Sequence, residues 1–414
     1  MVDSEKRKLV VNRESLKKLL IAIVIIAFFA FGDYSLFVYT LKAIAIVGLI
    51  LTSRYHKVDS YLLWIVFFTI WCAFSLLWAL NIDAAFFYLI WYLQAILLAY
   101  AIGTTIKSIA DVEYTLKCIM VGGVILALRS VRGVSFSSIG GSFRVGTNIG
   151  YNANELALKV ALSCIIAFHY FKVSKNRKWK TLFLVFIVVT LGAVFLTQSR
   201  QGIVMAIGSI LIYMLVSSPN PIKFIKNTFI VFVGLFIFYL LITRIPFFNN
   251  LFGKRFLLLF NIINNDAKVD NSINNRLGHI KNGLNAFYNS PIVGYGAGNF
   301  NAVAGSGTSA SGYAHNNYIQ LLVDLGLVGF LIYYYFYIKI AIGLILSVKR
   351  NRQITAILLS MFFVILVIEY GTVSYISDFI QIIIMLCFNV VQFNRSSTLD
   401  ELANESFCDD KRTK

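Results

Sequence analysis

The sequence predicts an all-α, polytopic integral membrane protein, and three observations carry that class. Of 414 residues, 58% are hydrophobic and 14% charged, where an ordinary soluble protein carries roughly a quarter charged. Mean hydropathy is +0.76. Apolar stretches of about 18 residues or more recur along the chain, and about 20 residues take a helix across the hydrocarbon core.

In chain order, about twelve spans are expected, over residues 17–32, 35–53, 60–80, 84–106, 112–130, 153–172, 181–198, 200–217, 224–243, 315–346, 353–371 and 373–393. The first apolar run, 19–31, follows a basic segment as a signal peptide would. Gly32-Asp33-Tyr34 then leads straight into the next apolar run without a small-residue cleavage site, so it reads as a retained span. Residues 10–18 have the character of an interfacial helix leading into it. The division expected is a cytoplasmic segment 1–18, a membrane domain 19–393 and a cytoplasmic tail 394–414, with one large extracytoplasmic loop at 244–314.

Sidedness follows from the short loops. The N-terminal segment carries Lys6, Arg7, Lys8, Arg13, Lys17 and Lys18. Arg54 and Lys57, Lys107, then Lys172, Lys175, Arg177, Lys178 and Lys180, Lys223 and Lys226, and Lys349, Arg350 and Arg352 follow even-numbered spans. The turns at 81–83 and 369–378 carry no Lys or Arg. Both termini are therefore expected in the cytoplasm. This topology accounts for most of the net charge of +18, and no nucleic-acid partner is needed. Of the five cysteines, Cys72, Cys118, Cys164 and Cys387 sit in apolar runs as packing residues and Cys408 lies in the tail; no disulfide or zinc spacing is present.

Basic residues also lie on the opposite face. Arg129, Arg132 and Arg144 border one outer loop, and Arg244, Lys254, Arg255, Lys268, Arg276 and Lys281 lie in the large one. Long loops translocate regardless of charge, so a solvated basic surface accounts for Arg244, Lys254, Arg255 and Lys268. Arg200 differs. It stands in Thr197-Gln198-Ser199-Arg200-Gln201-Gly202 between apolar runs, where a guanidinium either snorkels to headgroups or binds phosphate oxygens bidentately.

Four further strings stand out. Gly146-Thr147-Asn148-Ile149-Gly150-Tyr151-Asn152-Ala153-Asn154-Glu155 precedes the sixth span; Asn152 and Asn154 either bind sugar hydroxyls or cap that helix. Arg276 opens a short amphipathic helix over 276–287, with Leu277, Ile280, Leu284 and Phe287 on one face, stopped by Asn289-Ser290-Pro291. His279 on that helix is either a polar partner in a site or a surface residue, the surface reading being favoured. Gly294-Tyr295-Gly296-Ala297-Gly298-Asn299-Phe300 follows, outside any strand-then-helix context, so a Rossmann reading fails. Such glycines let backbone approach a ligand or a helix closely with φ > 0. About twenty residues on, Ala314-His315-Asn316-Asn317-Tyr318 opens an apolar helix. A His in that place is a catalytic group or a neighbour of a helix cap made by Asn316 and Asn317.

Across 144–330 these strings resemble the O-antigen ligases and polysaccharide polymerases, which transfer whole glycans from a polyprenyl-diphosphate carrier. Arg200 lies in a TxSRxG-like string, Arg276 heads the family's Arg-led helix, the glycines match GxGxGxF, and Gly146 to Asn154 looks like GTxxNPNxxA with Ala153 in place of Pro. His279 and Ile280 stand where members often carry Trp. The resemblance implies a GT-C-like fold, His315 as catalytic base, and Arg200 and Arg276 on the carrier diphosphate. Gln198, Ser199, Asn316, Gly294, Gly296, Gly298, Asn152 and Asn154 are the expected supporting or glycan-binding residues. Transfer needs a proton taken from the attacking hydroxyl and charge stabilised on the departing diphosphate. One His and two Arg supply both, so no metal or other cofactor is expected; the nearest outer acids, Asp266 and Asp270, form no cluster with His315.

The expected partners are a polyprenyl-diphosphate-linked glycan donor, a glycan acceptor and the lipid bilayer, together with the flippase and chain-length regulator of the same pathway. The expected place is the bacterial plasma membrane, with the site on its extracytoplasmic face. A repeat-unit polymerase is the favoured reading and a ligase acting on a lipid A-core acceptor the alternative. A lipid-linked glycan flippase is the alternative from another class. It is disfavoured because the sequence shows no internal repeat and its intramembrane charges are few and close to span ends.

Overall fold

The computed structural model describes residues 2–31, 36–52, 59–132, 134, 144–245, 271–304 and 313–412. Among them are fourteen α-helices and no strand. They are α1 Val2–Ala30, α2 Leu36–Thr52, α3 Ser60–Phe74, α4 Ile82–Gly103, α5 Ile109–Val131, α6 Ala153–Val173, α7 Arg177–Leu196, α8 Arg200–Val216, α9 Pro221–Arg244, α10 Asn271–Asn289, α11 Phe300–Ala304, α12 Asn317–Ser347, α13 Arg352–Glu369 and α14 Asp378–Arg412. The chain is an all-α, multi-pass membrane protein. Eight helical stretches among the described residues are long and apolar enough to cross a membrane, with shorter apolar helices at Ala43–Thr52 and Arg200–Val216. Eight is fewer than the number of spans expected. The expected spans at 17–32, 35–53, 200–217 and 373–393 coincide with helices that are short or run on into polar sequence. Gly32, Asp33, Tyr34, Arg54, His56, Lys57, Lys254, Arg255, Asp266, Lys268 and Asp270 lie outside the described residues, as do 246–270 and 305–312 of the large loop.

Helix starts are written into the sequence as Asp, Asn or Ser. Asp59 accepts from Leu62 N, Asn81 from Ala84 N, Ser108 from Asp111 N and Asn220 from Lys223 N, with Pro221 in the first turn. Each cap satisfies a first-turn amide that the helix itself leaves without a partner. Inside the bundle α6 is the most enclosed element, with Leu156, Val160, Ala161 and Ile165 fully buried. Close crossings use small residues: a Cβ on Gly123 would fall 1.7 Å from Ser163 Oγ. Trp64 of α3 stacks on Phe336 of α12 at 4.6 Å and donates its indole N–H to Ile332 O at 2.9 Å. At the opposite extreme, α9 exposes Phe229, Phe232 and Phe236, as suits a helix solvated by lipid.

The helices alternate direction, so the bundle has two chemically distinct ends. One gathers the ends of α5, α7 and α13 with the starts of α6, α8, α12 and α14. The other carries Lys107, Lys172, Lys223, Lys349 and Arg352, and is tied together by Arg352 Nη1 donating to Ser218 O at 2.7 Å and Tyr213 donating to Gln353 at 2.9 Å. His169 lies there, its Nδ1 2.9 Å from the Tyr213 hydroxyl. Every motif singled out above falls at the first end.

Candidate active site

At Gly326 the backbone of α12 leaves the helical region, with φ 65° and ψ −172°. An unbroken span over 315–346 is the sequence expectation, so the break is a correction. It frees amides and carbonyls that have no water to turn to at membrane depth. Residues 291–298 meet them one by one. Tyr295 N donates to Val323 O at 3.0 Å and Gly296 N to Asp324 O at 2.8 Å, while Leu327 N donates to Pro291 O at 2.8 Å and Val328 N to Ile292 O at 3.2 Å. The Trp71 indole supplies Leu325 O at 3.0 Å. The glycine run is thus inserted into a broken helix. Gly294 and Gly326 set the approach: both have positive φ, a Cβ on Gly294 would lie 2.6 Å from Asp324 O, and one on Gly326 would lie 2.2 Å from Ile292 O. Gly296 and Gly298 share the left-handed conformation.

A buried polar chain then ties this insert to the histidine. Asp324, fully buried, accepts from Gly298 N at 2.9 Å, Phe300 N at 2.8 Å, Gln320 Nε2 at 2.7 Å and the Tyr375 hydroxyl at 3.3 Å. Gln320 Oε1 accepts from Ala314 N at 2.9 Å, one residue before His315. Asn317 Oδ1 accepts from Ser374 N and Tyr375 N at 2.9 and 3.1 Å, and its amide donates to the Tyr334 hydroxyl, which donates to Glu369. Sequence reasoning gave Gln320, Asp324 and Glu369 no role. The signal was present: a carboxylate within or at the end of an apolar run is costly unless it is fully hydrogen-bonded.

His315 itself has φ 51°, a backbone conformation uncommon for a side-chain-bearing residue and characteristic of functional sites. Its ring lies 4.0 Å from that of Tyr313 and 5.8 Å from that of His279. His279 is only 7% exposed, which corrects the surface reading. Burial, then the Arg276 charge, then His279 push the His315 imidazole down to about 4, so it is neutral across the physiological range. Burial raises the neighbouring Tyr313 phenol, Arg276 opposes that, and Glu155 adds to it. Arg276 on α10 and His315 before α12 therefore share one electrostatic environment. Asn316 accepts from Ile319 N at 3.1 Å as the N-cap of α12, so the capping reading of this residue is the one the geometry realises.

The turn before α8 makes a second cluster. Gln198 is buried with φ 51°. Ser199 caps α8 by accepting from Gly202 N at 3.1 Å, and its hydroxyl donates to Asn154 Oδ1 at 2.8 Å. Arg144 donates to the same oxygen at 3.3 Å and to Thr197 O at 3.0 Å. Asn152 caps α6, its side chain accepting from Asn154 N at 2.9 Å. So Asn152 serves as a cap, while Asn154 joins the two strings that sequence reasoning placed far apart. Arg144, read only as a loop-border residue, is part of this junction. Arg200 is the first residue of α8, and the next residue, Gln201, donates its amide to Ile368 O at 3.2 Å. Glu155, paired with Lys159 at 3.0 Å, borders both clusters through its effect on Tyr313.

Residues 183–334 match the O-antigen ligase family. No curated protein matches the chain. The O-antigen ligase match runs from α7 into α12 and takes in Arg200, Arg276, the glycine insert, His315, Asn316 and Asp324; Arg144, Asn152 and Asn154 precede it. It supports a ligase- or polymerase-type, glycosyltransferase-like function in broad terms. Within the O-antigen ligase-like segment, the insert and Tyr313 also wall a cleft of about 330 Å³, completed by Asn81, Ala84 and Tyr88 of the α3–α4 side.

Proposed function

We propose that this protein is an inverting, metal-independent membrane glycosyltransferase that joins polyprenyl-diphosphate-linked oligosaccharide repeats into a surface polysaccharide and releases polyprenyl diphosphate. The observation that carries the reading is the convergence of Arg276 and His315, from separate elements, on one partly buried patch where burial and the Arg276 charge favour the neutral imidazole. A neutral imidazole accepts a proton; a guanidinium fork holds phosphate oxygens. In this mechanism Arg200 and Arg276 hold the donor diphosphate and take up the charge that develops on it. His315 removes the proton from the attacking sugar hydroxyl as the new glycosidic bond forms and the bond to the diphosphate breaks. The acceptor sugar enters by the cleft at Tyr313, whose rings and amides (Tyr88, Tyr313, Asn81, Asn301) suit sugar faces and hydroxyls. The site lies on the extracytoplasmic face of a bacterial plasma membrane, because Lys and Arg collect at the other end of the bundle.

Transfer to a lipid A-core acceptor is the second reading, since the match to the O-antigen ligase family accommodates either acceptor. Purified protein given lipid-linked repeats alone separates the two. Chain growth establishes a polymerase; transfer only after a lipid A-core acceptor is added establishes a ligase. Movement of intact lipid-linked glycan across vesicles without transfer would replace both with a flippase.

A further inference from the structure

A base is efficient only when something holds its imidazole in one tautomer and one orientation, and the structure leaves that task with few candidates. Asn316 is spent on capping α12. Glu155 is engaged by Lys159 and acts on Tyr313. Among the described residues no hydrogen bond fixes the His315 ring, and Tyr313 packs on that ring without one, at 4.0 Å. His279 remains. It sits one turn beyond Arg276 on α10, the same helix face. It is 7% exposed, its ring is 5.8 Å from that of His315, and its Nδ1 is buried without a partner. A buried nitrogen left unpaired is costly, and one beside the proposed base calls for an explanation.

We propose that His279 is the positioning residue of the site: its Nδ1 accepts a hydrogen bond from the N–H of His315, fixing the tautomer whose other nitrogen faces the acceptor hydroxyl. The inference rests on His315 acting as the base. The contact closes when substrate is bound, as catalytic hydrogen bonds often do. In the step itself the acceptor hydroxyl gives its proton to His315, its oxygen bonds to the anomeric carbon, and the bond electrons leave with the diphosphate. His279 gains no proton; it stabilises the N–H of the imidazolium that forms. The charged and titratable groups facing the pair are Arg276 on α10 and Tyr313 before α12, with Glu155 of α6 acting on Tyr313.

The test compares His279→Leu with His279→Asn, whose amide oxygen can occupy the Nδ1 position. Turnover, donor KM and the pH profile are measured, together with competitive inhibition by inorganic diphosphate. The expected result is a kcat loss of roughly tenfold to a hundredfold in His279→Leu, substantial recovery in His279→Asn, and unchanged donor KM and diphosphate inhibition. The acid limb of kcat should also move, because the imidazolium loses an acceptor. Equal loss in both variants, or a loss confined to donor KM and diphosphate inhibition, overturns the proposal. If His279→Leu does not fold, His279→Asn against His279→Gln, whose amide reaches past Nδ1, decides on the same readouts. His315→Ala is run in parallel: full activity there removes the base reading itself, whereas an inactive His315→Ala beside a fully active His279→Leu removes only this inference.

Discussion

At the scale of the residue, the charge state of His315 is the quantity on which the proposed chemistry turns. His315→Ala should lower turnover by about 10²–10⁴-fold, the usual worth of a positioned base, with donor affinity little changed. Because burial and Arg276 hold the imidazole near about 4, the sign of the pH effect is set: the base is lost only when acid protonates it. The kcat/KM profile should stay flat through pH 6.5 and fall towards about 4. Bound diphosphate offsets Arg276 and favours the imidazolium, so the acid limb of kcat should lie at higher pH than that of kcat/KM. A rate that rises on acidification would instead make His315 a phosphate ligand. The arginines differ in kind. Arg200→Lys and Arg276→Lys keep the charge but lose the planar fork; each should weaken donor binding by about tenfold or more while leaving expression intact. Wild-type donor affinity in both variants would remove the diphosphate role. In the proposed mechanism the two guanidinium groups take the place of a cation, so activity should persist in EDTA. Loss with chelator and recovery with magnesium would assign the charge stabilisation to a metal.

At the scale of the element, the broken helix α12 and its glycine insert behave as one unit. Neither completes its backbone hydrogen bonds without the other, and Asp324 locks them through Gly298 N and Phe300 N. Gly294→Ala places a Cβ against backbone on the far side, at a φ that already costs about 1–2 kcal/mol for a side-chain-bearing residue. Gly192 of α7 is the control, since nothing lies within 4 Å of its would-be Cβ. Thermal unfolding in detergent should shift down for Gly294→Ala and stay level or rise slightly for Gly192→Ala. Equal melting of the two variants would show that the insert does not need its close approach.

At the scale of the whole molecule, the expectation is that the functional end faces away from the cytoplasm. Single cysteines at Asn301 and Lys281 on a background lacking the native cysteines should react with an impermeant thiol reagent added outside intact spheroplasts. A cysteine at Lys178 should react only after lysis. The reverse pattern would invert the topology and place transfer on the cytoplasmic face. Arg129, Arg144, Arg200 and Arg276 would then sit with the cytoplasmic positive charge rather than as exceptions to it.

What the sequence determined by itself was the class, the helical order and the strings from which the candidate site is built. Hydrophobic runs are local, helix caps are local, and the Lys and Arg of short loops sum along the chain, so α4 to α9 and α13 begin and end within a few residues of expectation. The amphipathic stretch after Arg276 was legible for the same reason and emerged as α10. What only tertiary structure decided were the pairings. A glycine run reads alike whether it lines a ligand or fills a helix; only the broken α12 beside it shows that backbone from two segments completes one set of hydrogen bonds. Asp324 in an apolar run reads as a cost until the amides of residues 298 and 300 are brought to it. His279 reads as a surface residue until α10 folds back and sets it 5.8 Å from His315. Local sequence fixes what a segment can form, because helix hydrogen bonds close within four residues. Which polar groups are buried together depends on segments far apart in the chain, and burial is what turns a neutral histidine, a paired carboxylate and a guanidinium into a site.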